Sequence, residues 1–213
     1  MELIAHRAGN LASTLREALA VADGVELDVH GYLGRLEVRH AKVLWPLPVR
    51  WDKWEMIPSS TPRPTLEQVL EEVEPDTHLW FDLKGFTPQL TRRVLAAAEG
   101  FGNLTLSSRS WWILAPARDR PGVRVMRSVG NRPQRWLAER HVSGRRMPSS
   151  SEGIVLHERL ATPSTVERLI RIASVVVVWG VTSVHRLYEL ETLGVGGAII
   201  DDLALIRDAR IPP

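Results

Sequence analysis

Four short stretches of this chain carry side chains able to hold a cation and move a proton. In Val25-Glu26-Leu27-Asp28-Val29-His30, aliphatic and polar residues alternate. That period of two puts Glu26, Asp28 and His30 on one face of a strand. Two carboxylates so close repel each other unless a proton or a cation sits between them. A hard ion with oxygen ligands, Mg²⁺ or Ca²⁺, suits such a face. The same alternation also fits the wet side of an edge strand. His6-Arg7 closes an apolar strand that starts at Leu3, and His40 ends the run Arg35 to His40. Asp82 and Lys84 share a face at the end of Thr77 to Leu83, and Trp179 lies late in Val175 to Val181.

The elements that must position these groups alternate between strand and helix. After the first strand comes a helix over Leu15 to Ala22, with Ser13 or Thr14 as its cap. Thr65 and Gln68 have the spacing of a capping box ahead of a helix running to Val73. Further helices are expected over Pro88 to Gly100, Trp111 to Arg118, Pro133 to Arg140, Thr162 to Ala173 and Val184 to Leu193. Strands are expected over Asn103 to Ser107, Val123 to Met126, Gly153 to His157 and, last, Gly197 to Ile200. About eight strand–helix units predict a compact (β/α)₈ barrel, an α/β fold near the small end of its size range. An open doubly wound sheet is the alternative, but no glycine-rich phosphate loop follows the first strand. In a barrel, the polar residues at strand ends converge on one face.

The 213 residues fit a single domain over 1–213, with residues 41–63 as a Trp/Pro-rich insertion too irregular to continue the alternation. A hydrophobic fraction of 44% and a charged fraction of 24% are globular values. A net charge of +2 is too small to argue for nucleic acid or a membrane surface. With no cysteine there can be no disulfide or thiolate metal site. No signal pattern and no apolar run of membrane-spanning length are evident, so a soluble cytoplasmic protein is expected. The oligomeric state is left open. Lysine occurs only at Lys42, Lys53 and Lys84, which singles out Lys84 beside Asp82.

The ordered motifs Ile4-Ala5-His6-Arg7, Gly24 to Val29, Val38-Arg39-His40, Pro64 to Leu70 and Phe81-Asp82-Leu83-Lys84 resemble those of the glycerophosphodiester phosphodiesterase family. The likeness continues through Ser107-Ser108, Val178 to Val181 and Gly197 to Asp202, and so spans nearly the whole chain. It implies a metal-dependent phosphodiesterase on a (β/α)₈ barrel. His6 and His40 would be the acid/base pair, and Glu26, Asp28 and Asp82 the ligands of Mg²⁺ or Ca²⁺. Arg7 and Lys84 would contact the phosphate, and Trp179 would wall the substrate. Such a site can stabilise charge on the non-bridging oxygens and move protons near neutral pH. The expected reaction is hydrolysis of a small-molecule glycerophosphodiester to glycerol 3-phosphate and an alcohol. Two alternatives stand beside it: a weak or inactive relative that binds a phosphate-bearing ligand, and a phosphodiesterase acting on lysophospholipids.

The chain departs from the family pattern in four places. Ala12-Ser13-Thr14 replaces Glu-Asn-Thr, and Ala41 stands where an acid follows the second histidine. Asp82 replaces glutamate, and Leu33-Gly34 replaces Asp-Gly. His30 is expected to support the site without catalysing. His157 is expected to line the pocket or to be a bonded core residue, and His78, His141 and His185 to lie on the surface or on helices. Trp45, Trp51 and Trp54 would form either a self-contained cap or an apolar rim for an acyl chain. The arginines Arg127, Arg132, Arg135, Arg140, Arg145 and Arg146, with Trp136, would form a solvated helix face; no nucleic acid is expected as a partner.

Overall fold

The computed structural model describes residues 1–8, 12–43, 47, 49–52, 55–58, 61, 63–143 and 152–211. Eight parallel strands close into a barrel: β1 (Glu2–Ala5), β2 (Gly24–Tyr32), β7 (Leu79–Leu83), β8 (Leu104–Ser108), β9 (Val123–Val129), β10 (Glu152–His157), β11 (Val176–Trp179) and β12 (Gly197–Ile200). The β1–β2 pairing completes the ring. Around it lie α1 (Ala12–Leu19), α2 (Leu66–Leu70), α3 (Pro88–Ala97), α4 (Arg132–Ser143), α5 (Pro163–Ile170), α6 (Val184–Thr192) and α7 (Leu203–Ala209). This is the (β/α)₈ barrel expected from the alternation. Among the described residues, no helix is long and apolar enough to cross a membrane.

Strand parity organises the interior. Ile4, Trp80, Met126, Val155, Val177 and Ile199 form an apolar middle layer inside the barrel. A much larger apolar layer lies between strands and helices, from Leu3, Val25, Leu27 and Phe81 to Ile206. One inward position below the middle layer lie Glu2, His78, Thr105 and Arg124. One above it lie His6, Asp82, Ser107, Ser128 and Trp179. His78 is therefore no surface residue: it is buried, 2.7 Å from Glu2 Oε1 and 2.8 Å from the Thr105 hydroxyl. Gly24 makes its room, since a Cβ there would lie 2.8 Å from the imidazole Nδ1.

Three further elements differ from the sequence expectation. The segment Trp111–Ala117 is a 3₁₀ helix with Pro116 inside it, a residue that has no N–H for the α-helical ladder. The insertion contains a three-stranded antiparallel sheet, β4 (Lys42–Val43), β5 (Val49–Asp52) and β6 (Glu55–Pro58). The closing helix α7, capped by Asp202 on the Ala204 N–H, follows the last expected strand. The predicted Thr65–Gln68 capping box is formed. Trp45, Trp54, Arg145, Arg146 and the side chains of Ser13 and His141 lie outside the described residues.

β2 is longer than the wall it belongs to. It pairs with β7 only from Val25 to Val29, and its upper part folds back as β3 (Arg35–Val38), antiparallel to it. His40 therefore does not end a barrel strand. It follows a return strand that brings it back to the rim, where the Arg39 N–H donates to the Asp28 carbonyl at 2.9 Å.

Candidate active site

The register of adjacent strands collects the acids. Asp28 and Asp82 are direct partners across the β2–β7 pair, both inward, and Glu26 lies one inward position below Asp28. Like charges placed opposite each other in a sheet destabilise it. Here ligand-capable oxygens of Glu26, Asp28 and Asp82 lie within 4.8 Å of one another. Lys84 counters part of the charge, 2.8 Å from Asp28 Oδ1 and in contact with Asp82 Oδ2. Burial opposes its positive charge, but the three acids outweigh burial and raise its pKa. The Arg7 Nε lies 3.4 Å from Asp28 Oδ2. Three carboxylates thus face two fixed cations.

The imbalance shows in Glu26. Its burial, and then the charges of Asp28 and Asp82, push its pKa up to about 7 against the pull of His6 and Lys84. Both carboxylate oxygens of Asp28 are buried, and the contacts they make are the ion pairs to Lys84 and Arg7. Buried acids left in this state fit a divalent cation held by Glu26, Asp28 and Asp82. Asp82 is further oriented by the Ser107 hydroxyl, which donates to Oδ1 at 2.9 Å and itself accepts from Trp80 Nε1 at 2.9 Å.

His6 stands at the top of β1. Its Nδ1 lies 2.8 Å from Asp201 Oδ1, just past β12, and its Nε2 lies 3.7 Å from Glu26 Oε2. Burial disfavours the imidazolium, but the charge of Glu26 and the bond to Asp201 outweigh it and raise the pKa. Arg7 has a left-handed backbone, φ 56°, which a non-glycine residue adopts only at a cost. That conformation aims its N–H at Glu26 Oε2, 2.9 Å away.

His6, His40, Arg7, Lys84, Trp179, Glu26 and Asp82 all line one cavity of about 660 Å³ at the C-terminal mouth of the barrel, with Asp28 buried beside them. His30 lines it as well. Burial first, then the charges of Arg39, Lys84 and His40, lower its pKa to about 3 and keep it neutral. His157 stacks behind Trp179, ring centroids 4.1 Å apart, and accepts the Arg159 N–H. His185 is exposed on α6. Of the arginine stretch, Arg127 is buried between barrel and helices, paired with Glu152 and lying over Trp111, and Arg140 covers Trp136 on α4.

Sequence reasoning missed Asp201, Ser107, Arg39 and Arg109 as members of the site. The first two follow from the same parity rule, as inward positions one step above Ile199 and Thr105. Arg39 lines the cavity while its guanidinium bonds Glu37 and the Ala41 carbonyl.

A closed barrel of eight parallel strands is also the fold of glycerophosphodiester phosphodiesterases of known structure. The enzyme from Thermotoga maritima superposes with a TM-score of 0.75 at 18% identity, covering 99% of this chain and 98% of that one. A phosphodiesterase from Oleispira antarctica, solved with the product sn-glycerol-3-phosphate, gives a TM-score of 0.73 at 17% identity over 98% of this chain and 96% of that one. The Parabacteroides distasonis enzyme gives 0.70 at 18%, over 97% and 95%. At such identities the likeness establishes the fold. No protein-family model matches the chain, and no curated protein sequence does.

Proposed function

We propose that this chain is a cytoplasmic, divalent-metal-dependent glycerophosphodiester phosphodiesterase, acting as one barrel domain with residues 41–63 as a cap. The observation that carries the proposal is the acid triad Glu26, Asp28 and Asp82, short of compensating charge, in a cavity shared with His6, His40, Arg7 and Lys84. A cation there would supply positive charge to the non-bridging oxygens of the diester. Arg7 and Lys84 would hold those oxygens from the protein side. Asp201, accepting from Nδ1–H, leaves His6 Nε2 facing the cavity to give or take a proton. His40, just past the return strand, would serve the other proton transfer. A solved phosphodiesterase of similar fold carries glycerol 3-phosphate, the product expected here.

The test is ³¹P detection of diester cleavage with Mg²⁺, with Ca²⁺ and with chelator. Cleavage that requires a cation and disappears in His6→Ala supports the proposal. Full turnover in chelator, or in His6→Ala, rejects it. Acylated substrates are a second reading, favoured by Phe86, which lines the cavity and is 79% exposed. Comparing glycerophosphocholine with its 1-acyl analogue separates the two.

A further inference from the structure

The cavity is divided by charge. Its carboxylates lie on the β1, β2 and β7 side, and every lysine or arginine there has an acid partner: Arg7 has Asp28, Lys84 has Asp28 and Asp82, and Arg39 has Glu37. On the far side stands Arg109, one residue past β8, which lines the cavity, is exposed and, among the described residues, has no carboxylate partner. It reaches over the end of β9, where Gly130 leaves the space; a Cβ at that glycine would lie 2.9 Å from the guanidinium. It ends over the indole of Trp179 on β11, 5.8 Å from the ring centroid. In the closed strand order, β11 lies across the barrel from β7.

A bare indole face in a pocket attracts a quaternary ammonium. Here that face already carries a guanidinium, so a second cation would meet like charge. His157 behind the indole is kept neutral, its pKa lowered by burial and then by Arg159, so it adds no second positive charge of its own. From these contacts we infer that Arg109 is a specificity-determining residue. It receives a negatively charged group on the substrate arm that extends from the phosphate toward β11. The preferred substrates are glycerophosphodiesters with an anionic head group, not choline esters. The inference rests on the phosphodiesterase reading and adds the substrate class to it.

Three diesters test it, each with Mg²⁺ or Ca²⁺: glycerophosphocholine, glycerophosphoglycerol, and the latter with a terminal phosphate. Cleavage is followed by ³¹P NMR and binding by calorimetry. The wild type should favour the phosphorylated ester over the choline ester by about fivefold or more, the scale of one partly exposed charge pair. Arg109→Ala should bring that ratio near one, Arg109→Glu should reverse it, and Arg109→Lys should keep its direction. Arg109 is exposed, so these variants keep the core, which circular dichroism checks. A wild-type preference for the choline ester, or a ratio that survives Arg109→Ala, overturns the inference. Binding without cleavage by the wild type overturns the phosphodiesterase reading, while the binding ratios still decide the role of Arg109. A wild type that neither binds nor cleaves any of the three overturns both.

Discussion

Two glutamates inside this barrel, on neighbouring strands, are both pushed up by burial, yet their partners carry their pKa values in opposite directions. Glu2, below the apolar layer, meets His78 and Arg124, and its pKa is lowered, chiefly by the His78 contact. Glu26, above that layer, meets Asp28 and Asp82 and is pushed up to about 7. One end of the interior pairs its charge with partners of opposite sign, so it reads as stability. The other end sets three acids against two cations and leaves Glu26 shifted up, the kind of perturbation that clusters at functional sites. Backbone strain follows the same division. Left-handed positions in the lower loops are filled by Gly100, Gly122, Gly194 and Asp119, residue types that tolerate them. At the mouth Gly34 and Gly180 fill two such positions, and the chain also spends Arg7 and Leu33 there.

The largest expected effect separates the two ends by activity. Asp28→Asn should abolish cation binding, read by calorimetry, and lower turnover by about 10³-fold, on the order of losing a main catalytic group. Glu2→Gln should keep turnover within about twofold and cost about 1 kcal/mol of stability, as loss of a partly exposed pair does. Equal losses of activity in the two variants would erase the distinction. The second effect is on pH. In the cation-free protein, Glu26 keeps its proton up to about 7, whereas in the unfolded chain it ionises near 4.5. Between those values the native state binds more protons, so this group makes stability fall as pH rises through the window. The fall should reach about 3 kcal/mol at most, should vanish in Glu26→Gln and should be offset by added cation. Denaturant melts at pH 5 and pH 8 measure it. Glu2, with a lowered pKa, contributes with the opposite sign: its share is present above pH 4.5 and is lost on acidification.

Much of this division is legible in the sequence, because inward parity is a local property. Alternation alone placed Glu26, Asp28, Asp82 and Lys84 on one face, and strand order turned that into one end of a barrel. What stayed hidden depends on pairing between distant strands. Asp201 and Asp202 are adjacent aspartates; only the β1–β12 register shows that the first reaches His6 while the second caps α7. His78 sits in a polar stretch, Asp76-Thr77-His78, and its burial depends on the missing side chain of Gly24 on another strand. His40 was expected at the end of a barrel strand. It reaches the site because β2 overshoots its neighbour and folds back.

Ser107→Ala tests how the upper end holds its acids. Its hydroxyl bridges Trp80 and Asp82, and the carboxylate at this position is one methylene shorter than the glutamate of the family pattern. Outer partners of this kind typically contribute 10- to 100-fold in metal affinity. Asp82 also keeps its contact with Lys84, so the expected loss is about tenfold in calorimetric affinity for Mg²⁺ or Ca²⁺. An unchanged affinity would mean that the Lys84 contact alone fixes the carboxylate.

The smallest effect probes the strain. Leu33 is 83% exposed at φ 44°, beside Gly34 at the tip of the β2–β3 hairpin, where the family pattern has aspartate. It buries little apolar surface to offset a conformation that costs an L-residue roughly 1–2 kcal/mol. Leu33→Gly should therefore raise stability by about 1 kcal/mol or less, because the gain in the native state is partly lost to the greater freedom of the unfolded chain. Leu33→Asp should have a smaller effect of the same sign. Thermal melts measure both, alongside turnover on small diesters and on acylated ones. If stability rises while turnover of both is unchanged, the strain at Leu33 is incidental and only that at Arg7 serves the site. If the acylated substrate alone is lost, the exposed leucine belongs with Phe86 to an apolar rim, and its strain has been kept for what that rim binds.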